Sequence, residues 1–199
     1  YSGMIAGVAR DMVNYKEPGF ADAWTYLKKT FRENILFGAA NAVLFYVFTI
    51  ATNFYFSMFP GLPGLTVSIF LYSLYLFWIA SCQYYFPIQA DSGEGFRKNV
   101  KKMLFYFFDN AAFSLLGLLI LSVILLITSV IPVLNIFFGP CTLLICWNAA
   151  LKLRRLKYTY LDENPEANPK RIPWDAILID EKEKVGKRTL KGMIFPWKE

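Results

Sequence analysis

The chain has 199 residues, of which 56% are hydrophobic and 18% charged, and its mean hydropathy is +0.37. The apolar residues are concentrated in two blocks, 34–90 and 110–151, and this concentration argues against an ordinary soluble domain. The formal net charge of +6 would suit a nucleic-acid binder, but all basic residues lie outside the two blocks. That distribution argues against nucleic acid as a partner and favours an all-α integral membrane protein with cytoplasmic basic loops.

Residues 1–33 form the first predicted segment, which is amphipathic and mixed in charge. Asp22 can cap a helix whose apolar residues recur at three- and four-residue spacing. The segment suits a helix lying in the cytoplasmic membrane interface, and a short packed helix leading into the membrane fits equally well. The chain begins with Tyr1 and not with Met, so a further span upstream is left open. The candidates for contact with lipid headgroups are Lys28, Lys29 and Arg32.

The first two predicted spans, 34–58 and 65–86, form a hairpin around the uncharged turn "FPGLPG". Small and polar residues recur on one stripe of the first span. Such a stripe is typical of helix packing in lipid, and contact with a solute is the alternative. The candidates on this stripe are Gly38, Asn41, Thr49, Thr52 and Asn53.

The stretch "FRKNVKKMLFYFFDNAAFSLLG" is predicted to carry a cytoplasmic loop within 91–109 that leads into the third span. An amphipathic helix there would turn Phe96, Val100, Leu104 and Phe107 or Phe108 towards lipid. The basic side chains would attract anionic headgroups. The candidates for that contact are Arg97, Lys98, Lys101 and Lys102.

The third and fourth predicted spans, 111–133 and 136–153, form a second hairpin and complete a four-span bundle over 34–157. Asn148 is the strongly polar side chain deep in this half, and an interhelical hydrogen bond is favoured over substrate contact. The lead-ins "KKTFRENILFGAANAVL" and "KKMLFYFFDNAAFSLLG" are similar. Whether the two hairpins are a true repeat stays open.

Residues 158–199 form a predicted cytoplasmic tail that is charged and contains several prolines. Its aromatic and aliphatic residues predict docking, either onto the chain's own cytoplasmic loops or onto another subunit. The tail-docking candidates are Trp174, Phe195 and Trp197.

The sequence resembles the YesL-like family of bacterial integral membrane proteins. The stretches that carry the resemblance are "SGMIAGVARDMV", "FADAWTYLKKTFRENILFGAANAV", "YYFPIQA", "FRKNVKKMLFYFFDNAAFSLL" and "FFGPCTLLICWNAALKLR". The resemblance implies a small helical protein of the bacterial plasma (inner) membrane, with a further span before the region seen here. Family members are often encoded beside carbohydrate ABC importers, but the family supplies no biochemical activity and no catalytic residues. The long tail has no counterpart in the family pattern.

The sequence favours a noncatalytic role. The chain contains no His, and both apolar blocks lack formal charges, so we predict no catalytic residue, no cofactor and no metal site. We expect an accessory or scaffold subunit that assembles with other membrane proteins, with a carbohydrate ABC-type importer as the candidate complex. The alternative is an autonomous small transporter or a passive path for a small solute or lipid. Both hypotheses include membrane lipids as partners, with anionic headgroups on the cytoplasmic side.

Overall fold

A computed structural model of the protein describes residues 1–109, 111–131, 140–168 and 171–185. Helix is the only regular secondary structure in these ranges, which confirms the all-α fold. The helices are α1 (Ser2–Val13), α2 (Phe20–Met58), α3 (Leu62–Cys82), α4 (Tyr85–Ser92), α5 (Phe96–Asp109), α6 (Ala111–Val130), α7 (Pro140–Glu163), α8 (Trp174–Ile177) and α9 (Ile179–Val185).

Three helical segments in the described ranges are long and apolar enough to cross a membrane. They are Phe20–Met58, Leu62–Ser92 and Ala111–Val130, and they correspond to the first three predicted spans. The predicted fourth span, 136–153, begins outside the described residues, and its remainder lies in the first half of α7. The number of spans therefore stays a prediction.

Helix α2 is a single helix of 39 residues, with no break at the predicted boundary near residue 34. At 1.5 Å per residue it is about 58 Å long, roughly twice the thickness of a hydrocarbon core. The backbone N–H of Gly19 donates to the Asp22 carboxylate at 2.9 Å and fixes the start of the helix. The predicted lead-in therefore continues directly into the first span.

The turn between α2 and α3 depends on glycine. Gly61 has a φ of +97°, a conformation that residues with a Cβ rarely adopt. A Cβ at Gly64 would overlap the carbonyl oxygen of Phe59. The hairpin is further fixed where the Ser68 hydroxyl donates to the Thr52 carbonyl at 3.1 Å.

Helix α5 packs on α3 through a face whose buried residues recur every four positions. Asn99, Met103 and Phe107 are each no more than 1% exposed, and the Phe107 ring meets the Phe77 ring edge to face at 5.9 Å. Phe108 is 70% exposed. Of the two phenylalanines predicted to face lipid, the structure therefore selects Phe108, and Phe107 is a core residue.

Helices α6 and α7 pack closely because Gly117 of α6 has no side chain. The Trp147 indole lies against Gly117 and makes edge-to-face contacts with Tyr84 and Phe113 at 5.2 and 5.4 Å. A Cβ at Gly117 would overlap the indole, which is held by both neighbouring rings.

Gly117→Ala is expected to lower the free energy of unfolding by about 1–3 kcal/mol, because the rigid indole must shift to admit the new methyl group. Reversible unfolding in mixed micelles, followed by circular dichroism, measures the change. Gly38→Ala in α2 is the matched control, since a Cβ at Gly38 meets nothing within 4 Å. A Gly117 variant as stable as the Gly38 variant would contradict this packing.

The chain divides into two compact units, 1–149 and 150–199. In the second unit, the Lys152 ammonium pairs with Glu181 of α9 at 2.7 Å, and Lys182 pairs with Asp175 at 2.6 Å. Part of the predicted tail thus folds onto the C-terminal part of α7 in its own unit. The predicted boundary at residue 158 lies within α7.

Candidate functional site at the junction of α1, α2, α4 and α5

Helix α1 packs into the first unit through small residues. A Cβ at Gly3 would overlap the Asn34 amide, and a Cβ at Gly7 would lie 2.6 Å from Cγ of Tyr26. Ala6 is fully buried. These small residues let α1 approach α2 closely enough for polar side chains at its C-terminal end to reach neighbouring helices.

Arg10 is the centre of the first polar cluster at this junction. Its guanidinium donates to the Asp11 carboxylate at 2.9 Å, to the Tyr26 hydroxyl at 3.2 Å and to the Ala90 carbonyl. The Tyr26 hydroxyl in turn donates to Asp11. Ala90 lies in the last turn of α4, where a cation interacts favourably with unpaired carbonyls. One arginine therefore joins α1, α2 and α4.

Asp11 is only 5% exposed, and two opposing effects act on its charge. Burial by itself would raise the pKa of this carboxyl. Hydrogen bonds from Tyr26 and Arg10, with the positive charge of Arg10, outweigh burial and hold the pKa below its ordinary value of 3.8. Asp11 is therefore a stable anion at neutral pH.

The lowered pKa of Asp11 predicts acid sensitivity. Since the pKa is lower in the folded state, the stability from this carboxylate is complete above pH 3.8 and is lost as the pH falls below that value. Asp11→Asn is expected to reduce this loss, as measured by unfolding in micelles between pH 6 and pH 2.5. Asp162→Asn, at an exposed position of α7, is the control. Equal acid profiles for the parent and Asp11→Asn would contradict the assignment.

A second polar cluster lies around Glu33 of α2. The Gln89 amide of α4 donates to the Glu33 carboxylate at 2.9 Å, and the Asn99 amide of α5 donates to the same oxygen at 3.4 Å. Asn99 also donates to the Glu94 carbonyl at 2.7 Å and accepts from Ser92 at 3.1 Å. One carboxylate therefore joins three helices.

This second cluster holds three helices together and leaves one hydrogen-bond acceptor, the side-chain oxygen of Gln89, without a partner among the described residues. Gln89 is 3% exposed, and its Oε1 has no hydrogen-bond partner in the described part of the chain. Tyr85 stacks on Phe37 with ring centroids 3.6 Å apart and closes the cluster on one side. Within the described residues, no group of three or more His, Cys, Asp or Glu side chains could hold a metal ion.

The polar candidates of the predicted spans have different surroundings. The Trp78 indole donates to Asn41 at 2.9 Å, which ties α3 to α2. Asn148 is 4% exposed and donates to the Leu144 carbonyl at 2.7 Å and to the Ala6 carbonyl at 3.5 Å. Thr52 contributes only its carbonyl to the bond from Ser68. The exposed candidates are Gly38, Thr49 and Asn53.

The basic candidates lie mostly on the surface. The exposed ones are Lys28, Lys29, Arg32, Arg97, Lys98 and Lys101. Lys102 is half-buried and pairs with Glu94 at 3.0 Å, and this hydrogen bond lowers the pKa of the Glu94 carboxyl. Among the tail candidates, Trp174 is 39% exposed, whereas Phe195 and Trp197 lie outside the described residues.

Sequence reasoning did not identify the residues of the two polar clusters. Arg10 and Asp11 are adjacent in "VARDMV", but Arg10 contacts Ala90 across 80 positions. Glu33 and Asn99 are 66 positions apart. The available signal was the small-residue face of α1, which shows that polar residues at its end would lie close to another helix.

The comparisons add no relative: no protein-family model, no curated protein and no solved structure matches the chain. The resemblance to the YesL-like family stays a prediction.

Proposed function

We propose that the chain is a noncatalytic membrane subunit that assembles with other membrane proteins. One observation carries the proposal: a stripe of small and polar residues on the first span is exposed. The stripe consists of Gly38, Ala42, Thr49 and Asn53. At 100° per residue these four positions lie within about 60° of one another on α2.

The stripe has the properties of a helix-docking surface. Gly38 has open space around it, so a neighbouring backbone can approach closely. Asn53 bonds to the Thr49 carbonyl of its own helix at 2.9 Å, which leaves its side-chain oxygen able to accept from a partner. Polar side chains on the outside of a span associate helices in lipid.

The small interior of the bundle supports the same proposal. In their most apolar stretches, the three candidate spans bury 6%, 17% and 12% of their residues. Asn41 and Asn148 bond across helices within the first unit. A closed path for a solute would need further helices around it, so transport by the isolated chain is the second hypothesis.

The proposal includes a location and a class of partner. We place the chain in the bacterial plasma membrane, with 1–33, 91–109 and 152–199 on the cytoplasmic side. The resemblance to the YesL-like family makes a carbohydrate ABC-type importer the first partner to test. The exposed Trp174 gives the tail a second contact surface.

The test is purification from native membranes in gentle detergent, with co-purifying proteins quantified by mass spectrometry. Gly38→Leu fills the stripe at a position where a Cβ meets nothing within 4 Å, so it should lose the partner while remaining folded. Ala39→Leu places the same leucine side chain about 100° around the helix and is the matched control. A chain ending at Leu161 tests the contribution of the tail.

The results separate the two hypotheses. A defined membrane complex that co-purifies with the parent and with Ala39→Leu, but not with Gly38→Leu, supports the accessory-subunit hypothesis. The proposal fails if no membrane protein co-purifies with the folded parent, or if both leucine variants retain the same partners. Solute flux by the purified chain in liposomes would then support the transporter.

A further inference from the structure

A hydrogen bond joins the two basic segments in α2 and α5. Glu33 of α2 accepts from Asn99 of α5 at 3.4 Å across 66 positions of sequence. Arg32 and Lys98 directly precede these two residues in the chain, and both are exposed. The contact therefore brings the basic parts of α2 and α5 to the same level. We call the exposed cations of both helices the cationic belt: Lys28, Lys29, Arg32, Arg97, Lys98 and Lys101.

A second pair of contacts aligns the two helices further along. Asn41 of α2 bonds to Trp78, and Phe107 of α5 packs on Phe77, the adjacent residue of α3. Eight residues separate Glu33 from Asn41, and eight separate Asn99 from Phe107. Each interval is about 12 Å of helix, so α2 and α5 run in the same direction and both contact α3.

Both exposed surfaces change from charged to apolar along that shared direction. On α2 the cations end at Arg32, and Ile35 and Leu36 follow with 54% and 45% exposure. On α5 the last exposed cation is Lys101, since Lys102 is half-buried and paired with Glu94, and Phe105 and Phe108 follow with 64% and 70% exposure. A phospholipid has the same order, a charged headgroup followed by apolar chains.

Two carboxylates close to the belt in sequence, Glu33 and Glu94, have partners of their own. Glu33 accepts from two buried amides, and Glu94 pairs with Lys102. Within the described residues, Arg32 and Arg97 form no ion pair. The belt therefore presents a net positive surface at the level where the exposed side chains change from charged to apolar.

We propose that the cationic belt binds anionic phospholipids, with the phosphate on the cations of α2 and α5 and the acyl chains against the apolar residues that follow. Lysine and arginine near a membrane surface attract anionic lipid, and arginine can hold a phosphate with two hydrogen bonds. This role develops the headgroup contacts predicted from the sequence by joining the two basic segments into one site, and it is separate from assembly with proteins.

The test uses the full chain in detergent, with phosphatidylglycerol or phosphatidylcholine added and bound lipids resolved by native mass spectrometry. The parent is expected to bind phosphatidylglycerol more tightly than phosphatidylcholine. Arg32→Gln/Lys98→Gln should weaken phosphatidylglycerol binding by about fivefold for each cation removed and leave phosphatidylcholine binding unchanged. Lys182→Gln/Lys184→Gln, with the same change of charge in α9, should behave as the parent.

Two results would overturn the proposal. The first is a parent chain with equal affinity for the two lipids. The second is a loss of phosphatidylglycerol binding that is as large in the α9 variant as in the belt variant, since it would indicate net charge alone. Circular dichroism confirms folding beforehand, and Arg32→Lys/Lys98→Arg, which keeps both charges, should retain the preference.

Discussion

Phe107→Ala is expected to lower the free energy of unfolding by about 3–5 kcal/mol, the range for removing a buried aromatic ring. The ring is 1% exposed, and its edge-to-face contact with Phe77 joins α5 to α3. Truncation leaves a cavity whose lining atoms lose their dispersion contacts. Equilibrium unfolding in mixed micelles measures the loss.

The adjacent residue supplies the control. Phe108 is 70% exposed, so Phe108→Ala is expected to change the free energy of unfolding by no more than about 0.5 kcal/mol. The two variants have the same composition and differ only in which face of α5 is truncated. If both lose the same stability, the assigned buried face is wrong.

Arg10→Ala is expected to lower the free energy of unfolding by about 3 kcal/mol, the low end of the range for a buried ion pair, because Arg10 is partly exposed. The substitution leaves Asp11, which is 5% exposed, without its cation, and it removes the donor to the Ala90 carbonyl. The Arg10 side chain is 27% exposed, but the Asp11 carboxylate that stays behind is buried, and a buried charge without its partner is costly. Unfolding in micelles measures the change, and limited proteolysis between α1 and α2 tests whether α1 detaches.

Two further variants test whether the loss comes from the uncompensated charge. Arg171→Ala removes an exposed arginine and is expected to have little effect. Arg10→Leu/Asp11→Leu removes both charges and should be more stable than Arg10→Ala. If Arg10→Ala is no less stable than Arg171→Ala, Arg10 does not join the helices.

The helical class and the regions of the first three spans could be predicted from sequence, because membrane insertion depends on length and apolar content. The surroundings of particular residues could not. Asn41 and Thr49 lie on the same predicted stripe, yet Asn41 bonds to Trp78 and Thr49 is exposed. Periodicity identifies residues that share a face, but it does not show which part of that face another helix covers.

The sequence by itself determined that the chain has helices long and apolar enough to cross a membrane and that its cations lie outside the apolar blocks. Both are local properties, since the cost of placing a charge or a free backbone group in lipid is set residue by residue. Only the tertiary structure decided that Arg10 reaches Ala90, that Glu33 meets Asn99 and that Phe107 is buried while Phe108 is exposed. These outcomes depend on which helices, distant in sequence, pack against each other. A short stretch of sequence does not specify that packing.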